Sequence, residues 1–101
     1  MTAINFRTDS ISAQNTFSRP IALKRGGVLT LTGTWTATVS LQRQGMDGNW
    51  VDVTNNTGTA TTFTSIGTYQ VSPIDVPALY RWGVKTGNYT SGTVVGTFEG
   101  K

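Results

Sequence analysis

Residues 41–53 read LQRQGMDGNWVDV and bring together Arg43, Asp47, Asp52 and Trp50, four side chains able to do chemistry. Asp47-Gly48-Asn49 has the look of a calcium loop, which needs oxygen ligands at fixed positions and a bidentate glutamate at its end. The spacing then fails. Val51 stands at the next ligand position and offers no side-chain oxygen, and Gly58 stands where the glutamate belongs. Asp-Gly between alternating strands is a strong hairpin signal instead. The stretch is therefore read as strand, turn, strand.

Catalytic material is scarce elsewhere. The chain has no histidine, which removes the commonest general base and the commonest zinc ligand, and no cysteine, which removes disulfides and thiolate metal sites. Glycoside hydrolysis needs two carboxylates that flank a bond. The candidates are Asp9, Asp47, Asp52, Asp75 and Glu99, all placed at turns, edges or termini by this reading. Neither a P-loop nor a GxGxxG occurs. The expectation is a protein that is not an enzyme and uses no cofactor or metal.

Net charge is +3, spread along the chain, with Lys24-Arg25 as the adjacent cationic pair. Nucleic-acid phosphate calls for many clustered cations, so a nucleic-acid partner is not expected. No segment approaches the ~20 apolar residues of a membrane span. MTAINFRTDSIS holds no apolar core of signal-peptide length. A soluble chain made in a cytosol is expected. Asn55-Asn56-Thr57 and Asn88-Tyr89-Thr90 match glycosylation sequons and are read as coincidences of a threonine-rich chain.

The elements that must position these residues are strands. Residues 28–33, VLTLTG, put Leu29 and Leu31 on one face and Thr30 and Thr32 on the other. Residues 35–43 put Trp35, Ala37, Val39 and Leu41 on one face, with Thr36, Thr38, Ser40 and Gln42 opposite. Val51 and Val53 stand opposite Trp50 and Asp52. Residues 61–71 read as one strand bent at Gly67, and 79–85 set Tyr80, Trp82 and Val84 against Leu79, Arg81, Gly83 and Lys85. TGNYTSG reads as a turn cluster, and residues 93–98 close the chain. Trp35, Tyr80 and Trp82 are expected in the core and Trp50 at an exposed surface or subunit interface.

These 101 residues make one small domain. About seven strands without crossover helices predict an all-β, antiparallel β-sandwich, Ig-like or jelly-roll-like, over residues 21–101. Residues 1–20 are polar, with Ile4, Phe6, Ile11 and Phe17 as isolated apolar points, and are expected to be an N-terminal arm or an irregular first strand. Arg43 and Arg81 are expected close together across a sheet, paired with Asp52 or Asp75.

Leu41-Gln42-Arg43, the Gly/Asp turn, Trp50-Val51, Tyr80-Arg81 and the Thr90-Ser91-Gly92 turn before the last strand form a pattern over roughly residues 28–99. It resembles that of small β-sandwich virion proteins of tailed bacteriophages, which include capsid decoration (cement) proteins and tail-associated sandwiches. The resemblance implies a non-enzymatic structural protein of the virion, made in the bacterial host cytoplasm, that holds major capsid subunits together. It implies the major capsid protein as partner and a homo-oligomer, with a dimer suited to a two-fold site. Phe6, Ile11 and Phe17 on the arm, with Arg43, Trp50 and Arg81, are then the expected interface residues. The alternative is a receptor- or carbohydrate-binding sandwich of a phage tail or secreted protein, with a glycan platform at Trp50.

Overall fold

Strict alternation lets a strand bury one face and leave the other to solvent, and this chain uses it twice over. The computed structural model describes residues 5–23, 27–54, 61–71 and 78–100. Among these residues the strands are β1 (Asn5–Ile11), β2 (Thr16–Phe17), β3 (Ile21–Leu23), β4 (Gly27–Thr32), β5 (Trp35–Gln44), β6 (Trp50–Asp52), β7 (Thr62–Phe63), β8 (Gly67–Val71), β9 (Ala78–Gly92) and β10 (Val94–Gly100). All pairings between them are antiparallel. One sheet has four strands in the order β1-β10-β4-β8. The other has six: β2-β9-β5-β6, with β3 also on β9 and β7 also on β5.

The two sheets share one core, so the fold is the expected all-β sandwich. Leu29, Leu31, Val94, Phe98 and Ile11 enter it from the four-stranded sheet. Val39, Leu41, Tyr80, Trp82, Val84, Ile21 and Leu23 enter it from the six-stranded one. Trp82 is fully buried, and its ring lies on Gly96 of β10, where any Cβ would overlap the indole. That contact joins the two sheets at their centre. The alternations expected for β4, β5 and β9 all hold, and Trp35 and Ala37 pack against the core from the edge of the cluster.

The organisation differs from expectation in three places. First, of the two readings of the N-terminal residues, the described part follows the strand and not the free arm: β1 lies along β10 over seven residues and β2 lies on β9. Ile11 is buried in the core and cannot serve as the partner contact expected of it. An edge strand needs few buried residues, so its hydrophobic pattern is faint. An ion pair between Arg19 and Asp9 at 3.0 Å ties the second half of this segment back onto β1.

Second, residues 61–71 are not one strand. β7 pairs with β5 in one sheet and β8 with β4 in the other, so the chain changes sheets between them. Third, residues 86–92 are not a turn cluster but the far half of β9, pairing Tyr89, Ser91 and Gly92 with β5. Turn-rich composition here marks irregular strand. The register against β5 shifts twice, so β9 arches over 85–88, with Gly87 at φ 87° and its N–H donated to Gln14 Oε1 at 2.9 Å. β1, β2 and the division of residues 61–71 raise the count to ten strands among the described residues, where about seven were expected.

Candidate interaction site on the six-stranded sheet

Register decides which polar residues meet. Gln42 pairs with Arg81 on one side and Asp52 on the other, Gln44 pairs with Trp50, and Phe17 pairs with Gly83. Directly opposed residues of an antiparallel pair share a face. Phe17, Gln42, Gln44, Trp50, Asp52 and Arg81 therefore stand together on the outer face of the six-stranded sheet. Leu79 belongs to the same face two residues before Arg81 and is exposed.

Arg81 is the centre of this group. Its guanidinium carbon lies 4.0 Å from the centroid of the Phe17 ring and 4.4 Å from that of Trp50. β2 lies on one flank of β9 and β6 beyond β5 on the other, so the rings reach the cation from opposite flanks of β9 on the same face. Such contacts are worth about 0.5–2 kcal/mol each, depending on desolvation. Gly83 makes the approach of Phe17 possible, because a Cβ there would run into the Phe17 ring and the Thr16 carbonyl. Ser18 completes the dock: its N–H donates to the Trp82 carbonyl at 2.8 Å, and the Trp82 N–H donates to its hydroxyl at 3.1 Å.

A hydrogen-bonded chain fixes the guanidinium in its plane. Arg81 Nε donates to Gln42 Oε1 at 2.9 Å, Gln42 Nε2 donates to Asp52 Oδ1 at 3.0 Å, and Lys85 Nζ donates to Asp52 Oδ2. Gln42 is buried, with both ends of its amide engaged, so its orientation is set by the two charges beside it. The Lys85 hydrogen bond, followed by that of Gln42, holds the Asp52 carboxyl below its ordinary pKa. Burial draws the Arg81 pKa down from its ordinary value, yet a guanidinium stays charged at any physiological pH. Asp52 has both oxygens occupied and its proton held off, which suits an ion pair and not an acid–base catalyst.

One part of the cluster is left over. Among the described residues, Nη1 and Nη2 of Arg81 have no hydrogen-bond partner, and no buried side-chain nitrogen or oxygen lacks one, so these two donors face solvent. The group offers a cation held at Nε by Gln42 and flanked by two rings, with Nη1 and Nη2 left over.

The opening stretch forms a hairpin. Gly45 N–H donates to the Asn49 carbonyl at 2.8 Å and Gly48 N–H to the Gly45 carbonyl at 3.0 Å, with Gly48 at φ 86°. The loop spans residues 45–49, longer than the two-residue turn its Asp-Gly pair suggests. Asp47 folds over the turn: Oδ1 accepts the Asn49 N–H at 3.0 Å and Oδ2 the Asn49 amide at 3.1 Å. These bonds, the backbone one first, lower the Asp47 pKa. Its oxygens serve the turn.

Of the six expected interface residues, three converge: Phe17, Trp50 and Arg81. Phe6 is exposed on the other sheet, opposite Glu99. Ile11 is core. Arg43 neighbours Arg81 in register but pairs with Tyr80, on the opposite face. The expected closeness of the two arginines therefore fails as a contact, because side chains alternate. Arg81 reaches Asp52 only through Gln42, and Asp75 lies outside the described residues, as do Ile4, Lys24, Arg25, Gly58 and the 55–57 sequon. Gln42, Lys85 and Leu79 were not among the expected site residues. Their phase with Arg81 was visible in the alternation, but the register that joins them was not.

A concavity of about 360 Å³ lies beside the arch of β9 and is lined by Trp35, Thr36, Ala37, Thr38, Thr64, Gly87, Asn88 and Thr90. Its polar groups are neutral hydroxyls and an amide. The Trp35 ring is fixed there by donating Nε1–H to the Thr32 carbonyl at 3.0 Å. Comparison with family models, with curated proteins and with solved structures finds no match to this chain.

Proposed function

We propose that this chain is a non-enzymatic structural protein of a phage virion, a capsid decoration protein that bridges major capsid subunits. The observation that carries the reading is the arginine–aromatic cluster on the outer face of the six-stranded sheet. Trp and Arg dominate the energetics of protein interfaces when ringed by less critical contacts. Here Arg81, Trp50, Phe17 and Leu79 supply that composition on a rigid strand surface. The resemblance of the strand and turn pattern to phage sandwiches supplies the class of partner. A lattice of identical subunits multiplies one modest patch into firm attachment.

The test is sedimentation of purified protein with undecorated mature capsids. Co-sedimentation at a saturating stoichiometry, with capsids that resist heat or denaturant longer, is the expected result. Protein that stays in the supernatant and leaves capsid stability unchanged overturns the reading.

A carbohydrate-binding sandwich is the second reading, and the groove at Trp35 favours it. Trp50 no longer serves as its platform, since that ring packs on Arg81. Neutral hydroxyls and an amide around one indole match the hydroxyl-rich surface of a sugar. Glycan-array binding that is lost in Trp35→Ala and kept in Trp50→Ala would favour it over capsid attachment.

A further inference from the structure

The free edge of Arg81 indicates what the partner surface must present. The Phe17 and Trp50 rings flank the guanidinium, with centroids 4.0 and 4.4 Å from its carbon, and Nε is committed to Gln42. The donors left to a ligand are therefore Nη1 and Nη2, whose N–H bonds lie in the guanidinium plane. An in-plane, two-donor edge matches a planar, two-acceptor group, and a carboxylate accepts such a fork bidentately. Holding the fork in one orientation before binding removes the ordering cost that a free arginine side chain would carry.

The surroundings narrow the source. Lys85 already neutralises Asp52, so the cluster carries a single unmatched positive charge at Arg81. One unmatched cation beside a carboxylate, rimmed by Leu79 and two rings, does not suit a polyanion that requires a row of cations. It suits one acid set among apolar side chains, which is the make-up of a protein surface. We propose that Arg81 is the receptor for a single aspartate or glutamate side chain of the partner protein, bound bidentately through Nη1 and Nη2. This rests on the reading of the sandwich as an assembly protein, and it names the partner's chemistry at the same surface.

The site also explains an otherwise expensive construction. Stapling β2 and β6 to the sheet could be achieved by apolar contact between rings and aliphatic chains. A guanidinium needs a buried glutamine and an ion pair to hold it. Those parts set the direction of the Nη edge, which matters only if something binds there.

The experiment has two arms on the intact protein. In the first, sodium acetate is titrated into ¹⁵N-labelled protein and the side-chain Nε–H and Nη–H signals of Arg81 are followed, with sodium chloride and sodium phosphate at matched ionic strength. Acetate is expected to shift Arg81 in a saturable curve and to leave the other arginines near their chloride positions. Equal acetate and chloride curves overturn the proposal, and so does a saturable response to phosphate without one to acetate. In the second arm, Arg81→Gln and Arg81→Lys are sedimented with undecorated capsids beside the wild type. Arg81→Gln is expected to bind at least about tenfold more weakly, since it removes a charged hydrogen-bond donor pair. Arg81→Lys keeps the charge without the fork and is expected to bind several-fold more weakly. Wild-type retention by Arg81→Gln, in a protein that folds as judged by circular dichroism, overturns the proposal. If acetate binds Arg81 and the wild type ignores capsids, the capsid reading fails and the carboxylate site stands.

Discussion

The outer faces of the two sheets are built by the same alternation and end up as different surfaces. On the four-stranded sheet, Thr8, Thr97, Thr30 and Thr68 stand directly opposite one another across β1, β10, β4 and β8, a continuous row. Thr8 and Thr97 join through their hydroxyls at 3.0 Å. Such a row suits strand geometry and presents small, uncharged side chains without an organised charge. On the six-stranded sheet the same positions hold Arg81, Gln42, Asp52, Trp50 and Phe17. That face builds an organised charge and leaves two of its donors open to solvent. The contrast shows that exposure alone does not mark a working surface. Organisation beyond what stability needs is the better sign.

The sharpest way to break the contrast is to disturb the dock of Phe17. Gly83→Val forces a side chain into the Phe17 ring and the Thr16 carbonyl. Overpacking of this kind costs about 1–3 kcal/mol. Denaturant unfolding is expected to report that loss, together with a changed environment of Trp50 and weaker capsid binding. A variant as stable as the wild type would show that β2 is not held through this contact.

A smaller effect is expected from Gln42→Ala. It leaves Arg81 Nε and one Asp52 oxygen without their partner, and stranded polar groups cost about 1–3 kcal/mol when buried. Both flanking charges are partly exposed, so the lower end is expected. Because the amide sets the plane of Arg81, capsid binding should fall more than stability does.

Acid should act on the same cluster. The Asp52 carboxyl is held below its ordinary pKa by Lys85 and Gln42, so the folded state binds its proton less readily than the unfolded chain. Its stabilising contribution is complete above the ordinary carboxylate range. It is lost as pH falls through the lowered folded value. The difference in melting temperature between wild type and Asp52→Asn is therefore expected at pH 7 and should shrink toward pH 3. A constant difference across that range would remove the ion pair from the account.

The smallest effect belongs to the other sheet. Thr30→Val, in the middle of the threonine row, is expected to change stability by less than about 0.5 kcal/mol and capsid binding not at all. A large loss of binding there would reverse the assignment of the two faces.

Much of this architecture was legible from alternation. Leu29 and Leu31, Val39 and Leu41, and Tyr80, Trp82 and Val84 go inward as their spacing requires, and the strands that carry them form a sandwich. Trp50 was singled out because it shares a phase with Asp52, and it does belong to the cluster. Three things were hidden for physical reasons. Ile11 was taken for an interface residue because an edge strand that buries little looks like a polar arm. Residues 86–92 looked like a turn because glycines and threonines also build a strand that arches away from its neighbour. The meeting of Arg81 with Gln42 depends on the register of β9 on β5, and alternation fixes a residue's face but not its opposite number. Arg43 shows the cost of one step: it neighbours Arg81 and points away from it.

The central claim is that the Arg81 face, and not the threonine face, meets the partner. An image of the protein bound to an assembled capsid, at a resolution that shows side chains, tests it most directly. The account predicts the six-stranded sheet turned toward the lattice, with an aspartate or glutamate of the capsid subunit against Nη1 and Nη2 of Arg81. A bound protein that lays Thr8, Thr97, Thr30 and Thr68 on the lattice and leaves Arg81 to solvent would contradict it.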